Sequence, residues 1–155
     1  MKKLVLILAA LILSAFAFSQ ISAPTIELYG GGSAGSGATK PFWNISNQHG
    51  KYSTAPFEGI IGLKLESIDS SASFLNIDYG LELYNRFGSE NTYVIHQGFA
   101  EIKSPYLNFR AGRKEEVIGN QDTLLSQGAA SWSANHTPIP ELVLATPGYI
   151  DVPFT

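Results

Sequence analysis

The segment LNIDYGLELYNRF, residues 75–87, alternates regularly between apolar and polar side chains. Its odd positions are mostly aliphatic or aromatic, and its even positions include Asp78, Glu82 and Arg86. Because successive side chains of a β-strand point to opposite faces, this period of two predicts a strand with one apolar and one charged face. A helix is excluded, since Asp78 and Glu82 would interrupt the apolar stripe that begins at Leu75.

The same alternation recurs along the chain and predicts an all-β protein of about six antiparallel strands. The strand candidates are residues 25–31, 57–67, 75–87, 92–103, 106–113 and 141–145. The alternation breaks at His96-Gln97-Gly98, which predicts a β-bulge within the fourth strand.

The connections between these strands differ in length in a way that is typical of outer-membrane β-barrels. Residues 68–73 and 104–105 form short turns, which we expect on the periplasmic side, whereas 32–56, 88–91 and 115–140 would face outward. Aromatic residues near the strand ends fit the interfacial girdles of such a barrel: Phe57, Phe87, Tyr93 and Tyr106. Alternation also fits a soluble periplasmic β-sandwich, which turns its apolar face inward, so both architectures stay open at this point.

The N-terminus predicts export from the cytoplasm. Lys2 and Lys3 precede an apolar run over residues 4–18, and Ala17-Phe18-Ser19 provides small residues at the positions that signal peptidase reads. We therefore expect residues 1–19 to be a cleaved signal peptide and residues 20–155 to be the mature domain. The chain has no cysteine, which excludes a lipoprotein anchor, disulfides and thiolate metal sites.

The sequence predicts neither an enzyme nor a nucleic-acid-binding protein. Without Lys2 and Lys3 the chain has 8 basic residues (10 − 2) and 13 acidic ones, with no basic patch for nucleic acid. His49, His96 and His136 lack metal-ligand spacing, and Glu115-Glu116 is expected to be solvated in a loop. We therefore predict no catalytic residues, no cofactor and no metal.

Two tryptophans are the best candidates for ligand contact. Trp43 and Trp132 lie among small polar residues in the long connections, beside Asn44 and Asn135. A flat ring next to amide groups can form a platform for a sugar. The alternative interpretation is that each ring packs a loop or plugs the barrel.

Four ordered segments resemble the Bacteroidetes branch of the Wzi-type capsule assembly family: PFWNISNQHG (41–50), LNFRAGRKEEVIGN (107–120), LLSQGAASWSANHTPIP (124–140) and GYIDVPFT (148–155). The resemblance implies an outer-membrane β-barrel with a helical element near its periplasmic mouth. It also implies a non-catalytic, lectin-like protein that binds or organises capsular or extracellular polysaccharide at the cell surface. The implied partners are that polysaccharide, outer-membrane lipid and the barrel assembly machinery.

Family members continue beyond a VPFT-like motif, so the resemblance implies that this chain is an N-terminal part of such a barrel. On this interpretation Leu81 and its apolar neighbours face lipid. Asn76, Asp78, Glu82 and Arg86 line the lumen, where we expect their charges to be hydrated and loosely paired. A channel for small solutes remains an alternative function.

Overall fold

The computed structural model describes residues 22–69, 74–88, 91–116, 128–129, 132–133 and 135–148. The predicted signal peptide, residues 1–19, lies outside these ranges. The strands are, in chain order, β1 (Thr25–Ala34), β2 (Phe57–Ser67), β3 (Asn76–Gly88), β4 (Thr92–Lys103), β5 (Asn108–Arg113), β6 (Gly128–Ala129), β7 (Trp132–Ser133) and β8 (Glu141–Ala145). Within the described ranges the helical segment is a three-residue 3-10 helix, Phe42–Asn44, in the connection between β1 and β2. The helical element that the resemblance implies near the periplasmic mouth stays a prediction.

Six of these strands form one antiparallel sheet in the order β1-β2-β3-β4-β5-β8, and β6 and β7 form a separate pair. The predicted all-β antiparallel architecture is therefore confirmed, and β2, β4 and β8 have the predicted bounds. The short β6–β7 pair was not predicted, because strands of two residues carry too little alternation to be recognised. The described sheet is open, with β1 and β8 at its two edges.

The predicted bulge in β4 is present. Glu82 of β3 lies opposite Gln97 and Leu83 lies opposite Ile95, so His96 is an extra residue in β4. Because of this insertion, His96 and Gln97 are both buried on the same face of the sheet. The bulge thus adds one polar side chain to that face without disturbing the alternation on either side.

The connections separate into two edges, which we call the long-loop edge and the turn edge. The strand ends joined by the β1–β2, β3–β4 and β5–β8 connections lie at the long-loop edge, whereas those joined by the β2–β3 and β4–β5 connections lie at the turn edge. This is the arrangement that the sequence predicted from the lengths of the connections.

The two faces of the sheet are inverted relative to those of a soluble protein. The apolar face is exposed and carries Ile26, Leu28, Ile61, Leu63, Leu81, Leu83, Ile95, Ile102, Phe109, Leu142 and Leu144. The polar face is buried and carries Glu58, Asp78, Glu82, His96, Gln97, Glu101 and Arg110. Apolar side chains normally leave water on folding, so an exposed apolar face of this size indicates a surface that contacts something other than water.

Aromatic rings fill the space left by glycines on the polar face. Tyr29 lies opposite Gly62, and Phe99 lies opposite Gly80, and each ring occupies the position of the missing side chain. Packing of an aromatic ring over a glycine on the neighbouring strand stabilises the pairing of the two strands. At Gly62 the arrangement also brings the Tyr29 hydroxyl group to the centre of the polar face.

Candidate functional site

Residues 35–56, which we call the covering loop, fold over the polar face and are fastened to it by ion pairs. Lys40 Nζ lies 3.0 Å from Glu58 Oε2, and the backbone N–H of Ser53 donates to the same oxygen over 2.8 Å. The other oxygen, Oε1, lies 3.0 Å from Arg86 Nε. Glu58 is almost fully buried, so its charge is balanced by Lys40 of the loop and Arg86 of β3 rather than screened by water.

Arg86 also holds the loop through backbone groups. Its Nε donates to the carbonyl oxygen of Lys51 over 3.1 Å, and its Nη2 donates to that of Gly50 over 3.2 Å. The planar guanidinium group thus links Glu58 of the sheet with two successive carbonyl groups of the covering loop. Arg86 therefore fixes the position of the Lys51 side chain, which extends towards the middle of the polar face.

A cluster of two carboxylates around one ammonium group lies beneath the covering loop. Lys51 Nζ is 2.8 Å from Glu82 Oε1 and 3.1 Å from Glu115 Oε1. Glu82 is 1 % exposed and also accepts hydrogen bonds from the Tyr29 hydroxyl, over 2.6 Å, and from Gln97 Nε2, over 2.8 Å. The expectation that Glu82 is hydrated and loosely paired is therefore wrong, because the covering loop excludes water and supplies the counter-ion.

His96 and Gln97, the two residues of the bulge, complete this cluster. His96 Nε2 lies 2.6 Å from Glu115 Oε1, and since a carboxylate only accepts, the ring nitrogen is the donor. Gln97 Oε1 accepts a hydrogen bond of 2.9 Å from the backbone N–H of Glu115. The segment that follows β5 is thereby held against the sheet, so Glu115 is not the solvated loop residue that the sequence predicted.

The charges of the cluster perturb one another. Burial opposes ionisation of Glu115, but the hydrogen bond from His96 and the positive charge of Lys51 outweigh it and lower its pKa to about 2. Burial likewise disfavours the charged form of Lys51, yet its contacts with Glu82 and Glu115 raise its pKa above the usual value. Both residues are therefore charged across the physiological pH range, and their ion pair holds the covering loop and the segment after β5 together.

Glu82, His96 and Glu115 also have the composition of a metal site. One ligand atom from each residue lies within 4.8 Å of the other two, although the sequence predicted no metal because the three residues are not at metal-ligand spacing. Lys51 Nζ lies between the two carboxylates at hydrogen-bonding distance from both. The ammonium group thus lies where a cation would lie between the two carboxylates and balances one of their two negative charges.

Other charged side chains of the polar face also form ion pairs. Lys103 Nζ contacts Asp78 Oδ2, and Lys114 Nζ lies 2.9 Å from Glu101 Oε2. Arg110 bridges the end of β5 to β8 by contacting Glu116 and Glu141. Ion pairs therefore extend over the polar face from the covering loop to β8.

The predicted lumen-facing residues all lie on the polar face. Asp78 and Glu82 are buried, whereas Asn76 and Arg86 are half-buried. Asn76 Nδ2 donates to the carbonyl oxygen of Asp69 at the turn edge. The structure thus brings these four side chains onto one face of β3, with Leu81 and Leu83 on the opposite, exposed face.

Of the predicted sugar-contact residues, Trp43 and Asn44 lie in the covering loop, and Asn135 contacts this loop. Trp43, in the 3-10 helix, is 75 % exposed, and Asn44 beside it is half-buried. The Oδ1 atom of Asn135 accepts a 3.2 Å hydrogen bond from the backbone N–H of Gly50. Trp132 lies in β7, and its side chain is outside the part of the structure that is described.

Sequence reasoning missed the residues that close the polar face. Lys40, Lys51 and Glu115 lie in irregular segments, and His96 is isolated in the sequence. The available signal is the row of carboxylates on one face of the strands. If that face is buried, its carboxylates need cationic partners, which the loops can supply.

No protein-family model, curated protein or solved structure matches the chain. Within the described ranges, no helix is both long enough and apolar enough to cross a bilayer.

Proposed function

We propose that the six-stranded sheet is part of the wall of an outer-membrane β-barrel and that the protein binds or organises polysaccharide at the cell surface without catalysis. The observation that carries the first part is the inversion of the sheet, with aliphatic side chains exposed and paired charges buried. Barrel strands in a membrane alternate in this way, apolar towards lipid and polar towards the interior. The assignment of polysaccharide rests on the resemblance of the loop motifs to capsule assembly proteins.

The distribution of aromatic residues on the exposed face supports a membrane as the surrounding medium. Phe57, Phe87 and Tyr93 are exposed near the long-loop edge. Phe74 and Tyr106 are exposed at the turn edge, where their rings make an edge-to-face contact at 6.4 Å. Two aromatic groups with an aliphatic band between them correspond to the two interfacial girdles of a barrel.

The strand lengths also fit a bilayer. β2, β3 and β4 have 11, 13 and 12 residues. At about 3.3 Å per residue and a tilt of about 40°, such strands cross roughly 25–30 Å, close to the apolar height of an outer-membrane barrel. In a bilayer the backbone groups at the β1 and β8 edges require strand partners, because lipid offers no hydrogen bonds.

The two alternatives from the sequence fit less well. A soluble sandwich buries its apolar face, whereas the face that is buried here is the charged one. A solute channel needs an accessible charged lumen, and in the described part of the chain the covering loop occupies that side and pairs its charges. A plugged barrel is more consistent with a binding protein than with an open pore.

The proposed polysaccharide contact lies at the long-loop edge. Among the rings described there outside the sheet, that of Trp43 is the most accessible, and the ion pairs of Lys40 and Lys51 hold its loop in place. An exposed indole on a fixed loop offers an apolar surface for the C–H face of a sugar, with a donor N–H at its rim. The loop is thus preorganised for contact with a ligand outside the cell.

The membrane assignment is tested by labelling single cysteines in the otherwise cysteine-free full chain. Leu83→Cys on the apolar face should be shielded from a charged maleimide in intact vesicles and should react after unfolding. Gln48→Cys, an exposed position of the covering loop, is the matched control and should react in both conditions. Rapid labelling of position 83 in intact vesicles would contradict insertion of this face into lipid.

The polysaccharide assignment is tested with surface polysaccharide extracted from cells that carry the gene. Trp43→Ala should weaken binding of the full chain about tenfold or more in isothermal titration calorimetry, because stacking on an exposed ring is lost. Trp43→Phe should retain part of the affinity, and Tyr93→Phe, on the lipid side, should retain all of it. Equal affinity of Trp43→Ala and the wild type would refute this site.

A further inference from the structure

The apolar face of the sheet carries one charged side chain among its described strand positions, that of Arg113. The antiparallel register places Arg113 opposite Gly98, which itself lies opposite Leu81 of the exposed face. The other charged side chains of the described strands project to the polar face. Most of them form ion pairs there, and Glu27 lies on the edge strand β1. A cation alone on an aliphatic surface is costly in a bilayer and therefore indicates a specific partner.

Arg113 lies at the rim of a groove on the apolar face. The groove has a volume of about 540 Å³ and is lined by Tyr93, Ile95, Gly98, Gly112 and Pro140 together with Arg113 itself. A second groove of about 570 Å³ shares Tyr93 and Ile95 and continues over Leu28, Leu63 and Leu83. Because the two grooves share Tyr93 and Ile95, the aliphatic surface continues from the guanidinium group across the neighbouring strands, and it is complementary to an acyl chain with an anionic head.

One bond orients the guanidinium group and leaves most of its donors accessible. Arg113 Nη1 donates to the carbonyl oxygen of Ile95 over 3.0 Å, next to the bulge. A bulge disrupts the regular strand pairing, so this carbonyl group takes its hydrogen bond from the side chain. A guanidinium group has five N–H donors, and those on Nε and Nη2 remain available for a planar, two-pronged contact with phosphate.

We propose that Arg113 binds the phosphate of an anionic membrane lipid whose acyl chain lies in the adjoining groove. This inference rests on the proposed membrane location and extends it by naming a lipid class. The charge of Arg113 is complementary to phosphate, and the nearby ring of Tyr93, 87 % exposed, lies on the long-loop side, where headgroups begin. In the proposed orientation the lipid belongs to the outer leaflet.

The test uses the full chain in detergent micelles and two lipids that differ in the phosphate alone, dimyristoyl phosphatidate and dimyristoyl glycerol. Native mass spectrometry should show preferential retention of phosphatidate. Arg113→Gln should weaken phosphatidate binding about tenfold, the equivalent of one charge-assisted contact, with no change for dimyristoyl glycerol. Arg113→Lys keeps the positive charge but cannot make the two-pronged contact, so it should retain only part of the preference for phosphatidate.

The matched control is Lys64→Gln, which removes one positive charge from the polar face and should leave phosphatidate binding unchanged. An equal loss in Lys64→Gln and Arg113→Gln would overturn the proposal, because the effect would then be one of net charge. Displacement of phosphatidate by millimolar inorganic phosphate would also overturn it, since the site would then take free phosphate.

Flotation with lipid vesicles tests the membrane location separately from the lipid site. A chain that does not float with vesicles would refute the proposed membrane location. A chain that inserts and shows no dependence of phosphatidate binding on Arg113 would refute the lipid site alone.

Discussion

Substitution of Glu82 by glutamine should destabilise the fold far more than substitution of an ordinary strand carboxylate. Glu82 accepts three contacts, from Tyr29, Lys51 and Gln97, and is almost fully buried. Glutamine keeps the size of the side chain, but it removes the charge and places an amide N–H₂ group against one of these three donors. Lys51 then keeps Glu115 as its one carboxylate in the cluster.

The expected cost follows from these contacts. Breaking a buried ion pair costs about 3–5 kcal/mol, and loss of a hydrogen bond to a charged group costs about 1.5–3 kcal/mol. Because Lys51 keeps a second carboxylate and is partly exposed, we expect the lower end, about 3 kcal/mol of the free energy of unfolding. The assay is a urea titration of the full chain in micelles, followed by tryptophan fluorescence.

Glu66→Gln is the matched control, because Glu66 pairs with Lys64 at the same 2.8 Å but is more exposed. Exposed pairs contribute little, so this variant should lose less than about 1 kcal/mol. Equal, small losses in both variants would refute the reasoning and would show that Glu82 is hydrated and loosely paired after all.

Two further predictions concern the same face. As the pH falls from about 4.5, the value for an unfolded glutamate, towards about 2, the free energy of unfolding should decrease by up to about 3 kcal/mol, because protonation of Glu115 favours the unfolded chain in that window. Glu115→Gln should remove most of this dependence in acid titrations, and an unchanged slope would contradict the low pKa. Gly62→Ala should cost about 1–3 kcal/mol in urea titrations, since the new methyl group displaces the Tyr29 ring. Gly30→Ala, which meets one carbonyl oxygen at 3.5 Å, should change stability little, and equal losses at both glycines would argue against the ring packing.

The strands and their two faces could be predicted from the sequence, because alternation is a local property. A period of two assigns Leu81 and Glu82 to opposite faces whatever the rest of the chain does. The bulge was predictable for the same reason, since His96-Gln97-Gly98 interrupts the period within a few residues. The antiparallel pairing of β2 with β3, β3 with β4 and β4 with β5 follows from the short connections between these consecutive strands.

The closure of the charged face was decided by the tertiary structure alone. Lys51 lies 31 residues before Glu82 and 64 before Glu115, and the loop that carries it has no periodicity that would show where it folds. The sequence therefore predicted a hydrated Glu82, whereas the structure places this side chain under the covering loop. The physical reason is that a buried charge is satisfied by whichever cation the fold brings within about 3 Å, and this depends on chain closure rather than on neighbouring residues.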